Sequence, residues 1–415
     1  MENYDVAVIG GGAGGMMAAL AAAETGASVV LYERNSALGK KLRITGKGRC
    51  NVTNNCTTEE LLAAIPRNRK FLYGAAARFT PADTMAFFEG LGVPLKTERG
   101  RRVFPISDKA SDIVSALSGA LRSAGVKVYL NTRVTGIRPF FTEEGDSMTE
   151  VSLGEDGTSC HKAVILATGG VSYPLTGSTG DGHRFAKELG LDVTPLRPSL
   201  IPIETKENFS PLSGLTLKNV TLTVTRKNTV VFSEMGELLF THFGVSGPLV
   251  LSASANMQEY PMDEYRMSID LKPALSPEEL DHRLVSDFAK YAARDFVNSL
   301  GDLLPVKLIE PVIHRCGTDP HKKTGSLSKA ERQSLGAVLK DFEITPVRFR
   351  PIAEAIITCG GIDVREINPK TMELKKFPGI YAAGELIDVD AYTGGYNLQI
   401  AFATGRLAGK NAGVR

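Results

Sequence analysis

Gly10, Gly12 and Gly15 stand in the spacing G-x-G-x-x-G within VIGGGAGGMMAAL, directly after the apolar run VAVI and at the mouth of an Ala-rich segment. A chain turning sharply out of a strand needs conformational freedom at the first glycine. The second must lack a side chain so that a pyrophosphate can approach the backbone, and the third lets helix and strand lie close. Ala13 and Gly14 open that helix, where unpaired N–H groups attract phosphate oxygens. Glu33 lies 18 residues after Gly15, at the end of the next apolar run and just before Arg34. A carboxylate there accepts hydrogen bonds from ribose hydroxyls and repels a 2′-phosphate. The chemistry indicated is dinucleotide binding, although the fingerprint alone also fits a tight turn in another α/β protein and does not separate FAD from NAD.

The elements that must position these residues read as strand Tyr4 to Ile9, helix Ala13 to Thr25 and strand Ser28 to Glu33, a βαβ unit. Residues 57–92 and Ser111 to Ala124 read as helical, and AVILATGG (163–170) as a buried strand entering a glycine turn. After Pro195 the pattern alternates, in VTLTVT (220–225), VVFS (230–233) and ELLFTHF (237–243), which predicts short antiparallel strands. Helices are expected over Pro277 to Asn298, Pro305 to Cys316 and Ser328 to Phe342. From Val347 the glycine-rich style returns, ending in a helix from about Asn397 to Lys410. Of 42 glycines only 8 fall between 191 and 340. The expected fold is therefore α/β: a discontinuous Rossmann-like domain (1–192 and 345–415) interrupted by a β-barrel-like domain (193–275) and a small helical domain (276–344).

The far end of the chain narrows the cofactor. PGIYAAGELID (378–388) and GGYNLQIAFATG (394–405) resemble the C-terminal flavin motif of two-dinucleotide-type flavoproteins, and AVILATGG resembles their middle motif. The resemblance implies FAD, with Ala167, Thr168 and Gly169 beside it, and with Gly384, Glu385 and Asp388 near the ribityl chain or diphosphate. Gly395 and the amides of Asn397, Leu398 and Gln399 would then face the pyrimidine edge of the flavin. Together with GKKLRITGKGRCNVTN (39–54), STGDGHRFAKELG (178–190) and FTHFGVSGP (240–248), these motifs make the chain similar, end to end, to the HI0933-like family of bacterial flavoproteins, which includes aminoacetone oxidase and the BaiN-type proteins. That resemblance also implies that Lys40, Lys41, Thr45, Gly46, Cys50 and Asn51 line the FAD and that Val134 meets its adenine.

The reaction expected is FAD-dependent oxidation or reduction of a small organic substrate, an amine or a C–C/C=C unit, by hydride transfer at flavin N5. No second G-x-G-x-x-G occurs, so either O2 reoxidises the flavin or NAD(P)H visits it without a domain of its own. An NAD(P)H-dependent flavin reductase or dehydrogenase is the alternative, and a flavin-binding redox sensor or RNA-binding protein a further one. The catalytic group is not fixed by the sequence; His242, Tyr173 and Tyr392 are candidates to face the flavin, against a packing role for each. Five cations, Lys40, Lys41, Arg43, Lys47 and Arg49, cluster within ten positions. They read as neutralising a diphosphate or an anionic substrate, as a patch for nucleic acid, or as ordinary surface. With 48 Lys plus Arg against 46 Asp plus Glu in 415 residues, the net charge of +2 gives no general field for nucleic acid or membranes, and neither is expected as a partner. The five cysteines lack C-x-x-C spacing, so no metal and no disulfide framework are expected. The amino terminus lacks a basic n-region, and a cytoplasmic location is expected.

Overall fold

The computed structural model describes residues 4–415. The chain divides into two compact units, one comprising residues up to Ser199 together with Pro351–Arg415, the other Leu200–Arg350.

The first unit is built on a five-stranded parallel sheet. Its strands are β1 (Val6–Ile9), β2 (Val29–Tyr32), β3 (Lys127–Tyr129), β4 (Ala163–Leu166) and β5 (Ile380–Ala382), in the spatial order β5-β4-β1-β2-β3. VAVI and AVIL are wholly buried, which is why they read as continuous apolar runs without alternation. The strand order reverses at β1, between β2 and β4. Open α/β sheets bind ligands at the carboxyl ends of the strands at such a switch point.

Helix α1 (Ala13–Ala23) leaves β1, and helix α3 (Tyr396–Gly413) follows β5; α2 (Asp181–Glu188) lies between them in sequence, after β4. Residues Ala13–Ala22 of α1 are all buried, and small side chains are the reason that this is possible. Along α3, Gly405 and Gly409 recur one turn apart. A Cβ at Gly405 would stand 2.2 Å from the Gly14 carbonyl oxygen, and one at Gly409 would stand 2.1 Å from that of Ala18. The two helices therefore pack backbone against backbone.

The second unit is a seven-stranded antiparallel sheet dominated by the hairpin Thr216–Arg226 and Thr229–Thr241. Helices Pro277–Lys290, Val306–Cys316 and Lys329–Lys340 pack on it in a single apolar core, with Leu284, Val312 and Leu335 among its fully buried side chains.

Replacing Gly409 by Val should cost about 2–3 kcal/mol, because the branched side chain must displace the α1 backbone. Gly119 lies inside helix Ala110–Ser123, and a Cβ added there would meet nothing within 4 Å, so Gly119→Ala should stabilise by about 0.5–1 kcal/mol. Urea midpoints of the two variants should move in opposite directions.

Candidate dinucleotide site

The carboxyl ends of β1, β2, β4 and β5 open onto a cleft. Its floor is the turn after β1. Gly10 has φ +108°, and a Cβ there would lie 2.5 Å from the Ala167 carbonyl oxygen. Gly15 is not in the wall; a Cβ on it would fall 1.8 Å from the Gly10 oxygen. Gly12 is different, since a Cβ on it would meet nothing within 4 Å. Gly10 and Gly15 are small so that strand and helix can touch, whereas Gly12 faces open space.

Two helices present bare amino termini to this cleft. The α1 N-cap is Gly12 and the α3 N-cap is Gly395; neither supplies a side-chain cap, and neither first turn contains an acid. Gly12, Ala13 and Gly14 of one, and Asn397 and Leu398 of the other, line the cleft. Uncapped N–H groups with a positive dipole end favour negative charge, so each terminus suits an anionic group.

Glu33 marks one end. It is 6% exposed. Its Oε2 accepts the Gly11 N–H at 2.7 Å, and its Oε1 accepts both the Asn35 N–H and the Asn35 amide nitrogen at 2.7 Å. Each carboxylate oxygen can accept more than one hydrogen bond, so ribose hydroxyls can join a carboxylate already fixed in place. Nearby, Asp181 at the start of α2 pairs with Arg34 at 3.1 Å and Arg133 at 2.7 Å. Burial works against its charge, but these guanidinium groups hold its carboxyl below the usual range. Arg34, Arg133, Val134 and Asp181 all line the cleft here.

Further along, Lys41 pairs with Glu385 and donates to Ser172 Oγ at 2.6 Å. Glu385 Oε1 accepts from Ser172 Oγ at 2.8 Å and from the Thr358 N–H at 2.9 Å. This network ties the loop after β2 to the loop after β5. Lys40 reaches Asn35 Oδ1 at 3.0 Å. The cationic cluster therefore splits. Lys40 and Lys41 lie in the cleft wall; Arg49 pairs with Glu98 and Asp108 and stacks 3.9 Å over Phe104; Arg43 and Lys47 are exposed.

Thr45, Ala167, Thr168, Gly169 and Gly384 also line the cleft, and the hydroxyl of Thr168 is buried with no hydrogen-bond partner. Other expected contacts sit outside the wall. Cys50 is fully buried with φ +62°, and burial pushes its thiol up to about 12. Gly46 and Asn51 lie beside it, where a Cβ on Gly46 would be 3.0 Å from the Asn51 nitrogen. Asp388 receives the Asn68 amide on its carbonyl oxygen at 2.8 Å. Gly395 turns with φ +100° against the Thr53 backbone. Gln399 is committed elsewhere: its Oε1 accepts from Thr53 and Thr84 at 2.7 Å, its Nε2 donates to the Phe79 carbonyl at 2.8 Å, and its own N–H reaches Gly395.

None of the three catalytic candidates lines the cleft. His242 is exposed in the second unit, edge-on to Phe243. Tyr173 is half-buried with φ +49°, and the Tyr392 N–H donates to the Ala64 carbonyl at 3.0 Å. Residues not singled out from sequence include Asn35, Arg133, Ser178 and Asp181 in the wall and Ser172 beside it. Asp181 lies within the motif STGDGHRF, but nothing local reveals its pairing with residues 147 and 48 positions earlier. Among the described residues, no cluster suited to a metal ion occurs, and no helix is long and apolar enough to cross a membrane.

The residues fit FAD: a glycine floor with open space above Gly12, a ribose-competent carboxylate and two bare helix termini. A model of the HI0933-like protein Rossmann domain matches residues 4–411. The chain belongs to this family. It is 32% identical, over 97% of its length and 96% of the relative's, to the ribosomal RNA dihydrouridine synthase of Escherichia coli (strain K12). It is 30% identical, over 99% of both, to the 3-dehydro-bile acid delta(4,6)-reductase of Clostridium scindens. The 3-ketosteroid delta1-dehydrogenase of Sterolibacterium denitrificans, at 14% identity, has the same fold, with a TM-score of 0.53 over the whole of both chains. This HI0933-like protein is an FAD-dependent oxidoreductase built on an FAD-binding Rossmann domain.

Glu33→Ala should weaken FAD binding about 10- to 100-fold, the worth of charge-assisted hydrogen bonds to a buried carboxylate, as read by flavin fluorescence during titration of apoprotein. A second outcome concerns His183 on α2. Burial pushes its imidazole down to about 4, against the opposing charge of Glu385. A depressed folded value means that the unfolded chain binds the extra proton first. The stability is therefore fully present above about pH 6.5 and is lost as pH falls toward 4, by at most about 3 kcal/mol. His183→Gln should flatten that part of the stability profile.

Proposed function

We propose that this oxidoreductase hydrogenates a ring carbon–carbon double bond conjugated to a carbonyl group, with NAD(P)H as the electron source. The observation that carries the reading is the cleft. One complete dinucleotide cradle occupies it, running from Glu33 to the amino terminus of α3, and the sequence contains no second glycine fingerprint. A nicotinamide nucleotide then has no Rossmann site of its own and reaches the bound flavin as a visiting substrate.

FAD supplies, when bound, a two-electron carrier that takes up a hydride and passes one on at N5. The chain's own contribution is electrostatic and positional. Gly12 to Gly14 and the α1 terminus hold the diphosphate, and Glu33 holds the adenosine ribose. The bare α3 terminus at Asn397 and Leu398 favours negative charge at the flavin's pyrimidine edge. The Lys41–Glu385–Ser172 network fixes the wall between these ends without leaving a net charge there.

The names of the full-length relatives support the direction of the reaction. A dihydrouridine product and a delta(4,6)-reduction each describe two hydrogens added across a ring double bond. A uracil base and a steroid-like enone share that chemistry, so it is the shared chemistry that is proposed here.

The test is anaerobic. NADPH or NADH should bleach the yellow holoprotein, and either a steroidal enone or a uridine-containing ribosomal RNA fragment should restore the colour, the two arms identifying the source of the double bond. Bleaching by aminoacetone instead, with peroxide formed when air is admitted, would establish an amine oxidase and overturn the proposal.

A further inference from the structure

Between Glu60 and Asp83 the chain carries four cations, Arg67, Arg69, Lys70 and Arg78, and no acid. Arg67 is spent on Asp390. Arg69, Lys70 and Arg78 are exposed and form no ion pair among the described residues, Arg78 donating instead to the Gly74 carbonyl of its own helix, Tyr73–Arg78, at 3.3 Å. Tyr73 is 63% exposed, whereas its neighbours Phe71 and Leu72 are buried. The 3-10 turn Arg69–Leu72 runs straight into that helix. Residues three and four apart are neighbours on a helical surface, so Lys70 and Arg69 flank Tyr73. A Cβ on Gly74 would fall 3.0 Å from the Pro369 carbonyl oxygen, so the helix start rests on the turn 368–370. Lys370, exposed and likewise without an ion pair among the described residues, joins the same surface. One exposed aromatic ring thus stands among four unneutralised cations, a concentration that the net charge of +2 averages away.

This segment is fastened at three points to the end of the cleft where α3 begins. Asn68 donates to the Asp388 carbonyl at 2.8 Å, the Tyr392 N–H to the Ala64 carbonyl at 3.0 Å, and Gln399 Nε2 to the Phe79 carbonyl at 2.8 Å. Val389 and Asn397, which lie among those partners in the chain, line the cleft. The basic surface is therefore outside the cleft and next to its flavin end. An aromatic ring left in water beside several uncompensated cations matches a single-stranded nucleic acid, in which every base has a face that stacks and every phosphate a charge to meet. A membrane surface would need apolar side chains to insert, and Phe71 and Leu72 are turned inward.

We propose that Tyr73, with Arg69, Lys70, Arg78 and Lys370, is a docking surface for single-stranded RNA, Tyr73 stacking on a base and the cations meeting the phosphates around it. The inference rests on the reaction proposed above and selects, of its two ring sources, the uracil base. A base meets a flavin only when it is out of a duplex stack. A surface that grips unpaired nucleotides next to the cleft supplies such a strand, and uracil makes that strand RNA rather than DNA.

The probe is a fluorescein-labelled single-stranded RNA of mixed sequence, and the readout is its anisotropy on titration with FAD-loaded protein. Binding should be saturable and should weaken roughly 50-fold between about 50 and 200 mM salt, as four phosphate contacts on a single strand require. Arg69→Gln combined with Lys70→Gln should halve the slope of log affinity against log salt. Tyr73→Ala should weaken binding about 10-fold at every salt concentration with the slope kept, and Tyr73→Phe, which keeps the ring, should bind within about twofold of the parent. FAD content equal to the parent's shows that each variant folds. No saturable binding at low salt, or binding within about twofold of the parent in both Tyr73→Ala and the double Gln variant, would overturn the surface. So would tighter binding to phosphatidylserine vesicles, or to duplex RNA, than to the single strand. RNA binding that follows these expectations, in a protein whose flavin NADPH does not bleach, would leave the surface standing and sink the reaction. Bleaching by NADPH and reoxidation by a steroidal enone, without RNA binding, would do the reverse.

Discussion

Helix α1 touches backbone on two sides. Its amino end rests on the Gly10 carbonyl below β1, and its outer face rests on the glycines of α3, at separations where a single methyl group would collide. Everything that the cleft offers depends on this double approach. Because α1 cannot move away from β1, its unpaired N–H groups point at the switch point of the sheet. Because α3 is locked onto α1 through Gly405 and Gly409, its own bare terminus opens on the same cleft. The arrangement costs conformational entropy at each glycine, and it sets two anion-favouring helix ends on one surface.

The carboxylates around the cleft are each held by fixed partners. Glu33 is held by two backbone N–H groups, Glu385 by Lys41, and Asp181 by two arginines. Fixed pairs of this kind cost little reorganisation when a ligand enters. Helix termini and backbone amides would then offer FAD their positive ends, beside the Lys40 ammonium in the wall. The cationic cluster, which looked uniform in sequence, divides into two wall residues, one structural residue bound to Glu98 and Asp108, and two exposed residues.

Much of the cofactor half was legible because its signals are local. Gly10, Gly12, Gly15 and Glu33 depend on spacing within one βαβ unit, and VAVI and AVIL are buried runs that need no tertiary information. Long-range effects were not legible. The amide of Gln399 reads as a flavin contact, and nothing near it in sequence reveals that its side chain is bound by Thr53, Thr84 and the Phe79 carbonyl. The stretch 229–241 reads as two strands broken at Gly236, yet it is one, because that glycine makes room for Leu249 packing across it. The helix expected from Pro277 to Asn298 ends at Lys290, where the Phe296 N–H instead reaches the Lys322 carbonyl at 2.9 Å.

A crystal structure of the FAD-loaded protein tests the central claim most directly. The account predicts the adenosine ribose on Glu33, the diphosphate above Gly12 at the α1 terminus, and the pyrimidine edge of the flavin at the amides of Asn397 and Leu398. Density for the flavin ring at the Glu33 end, or a diphosphate away from Gly12 and α1, would contradict it.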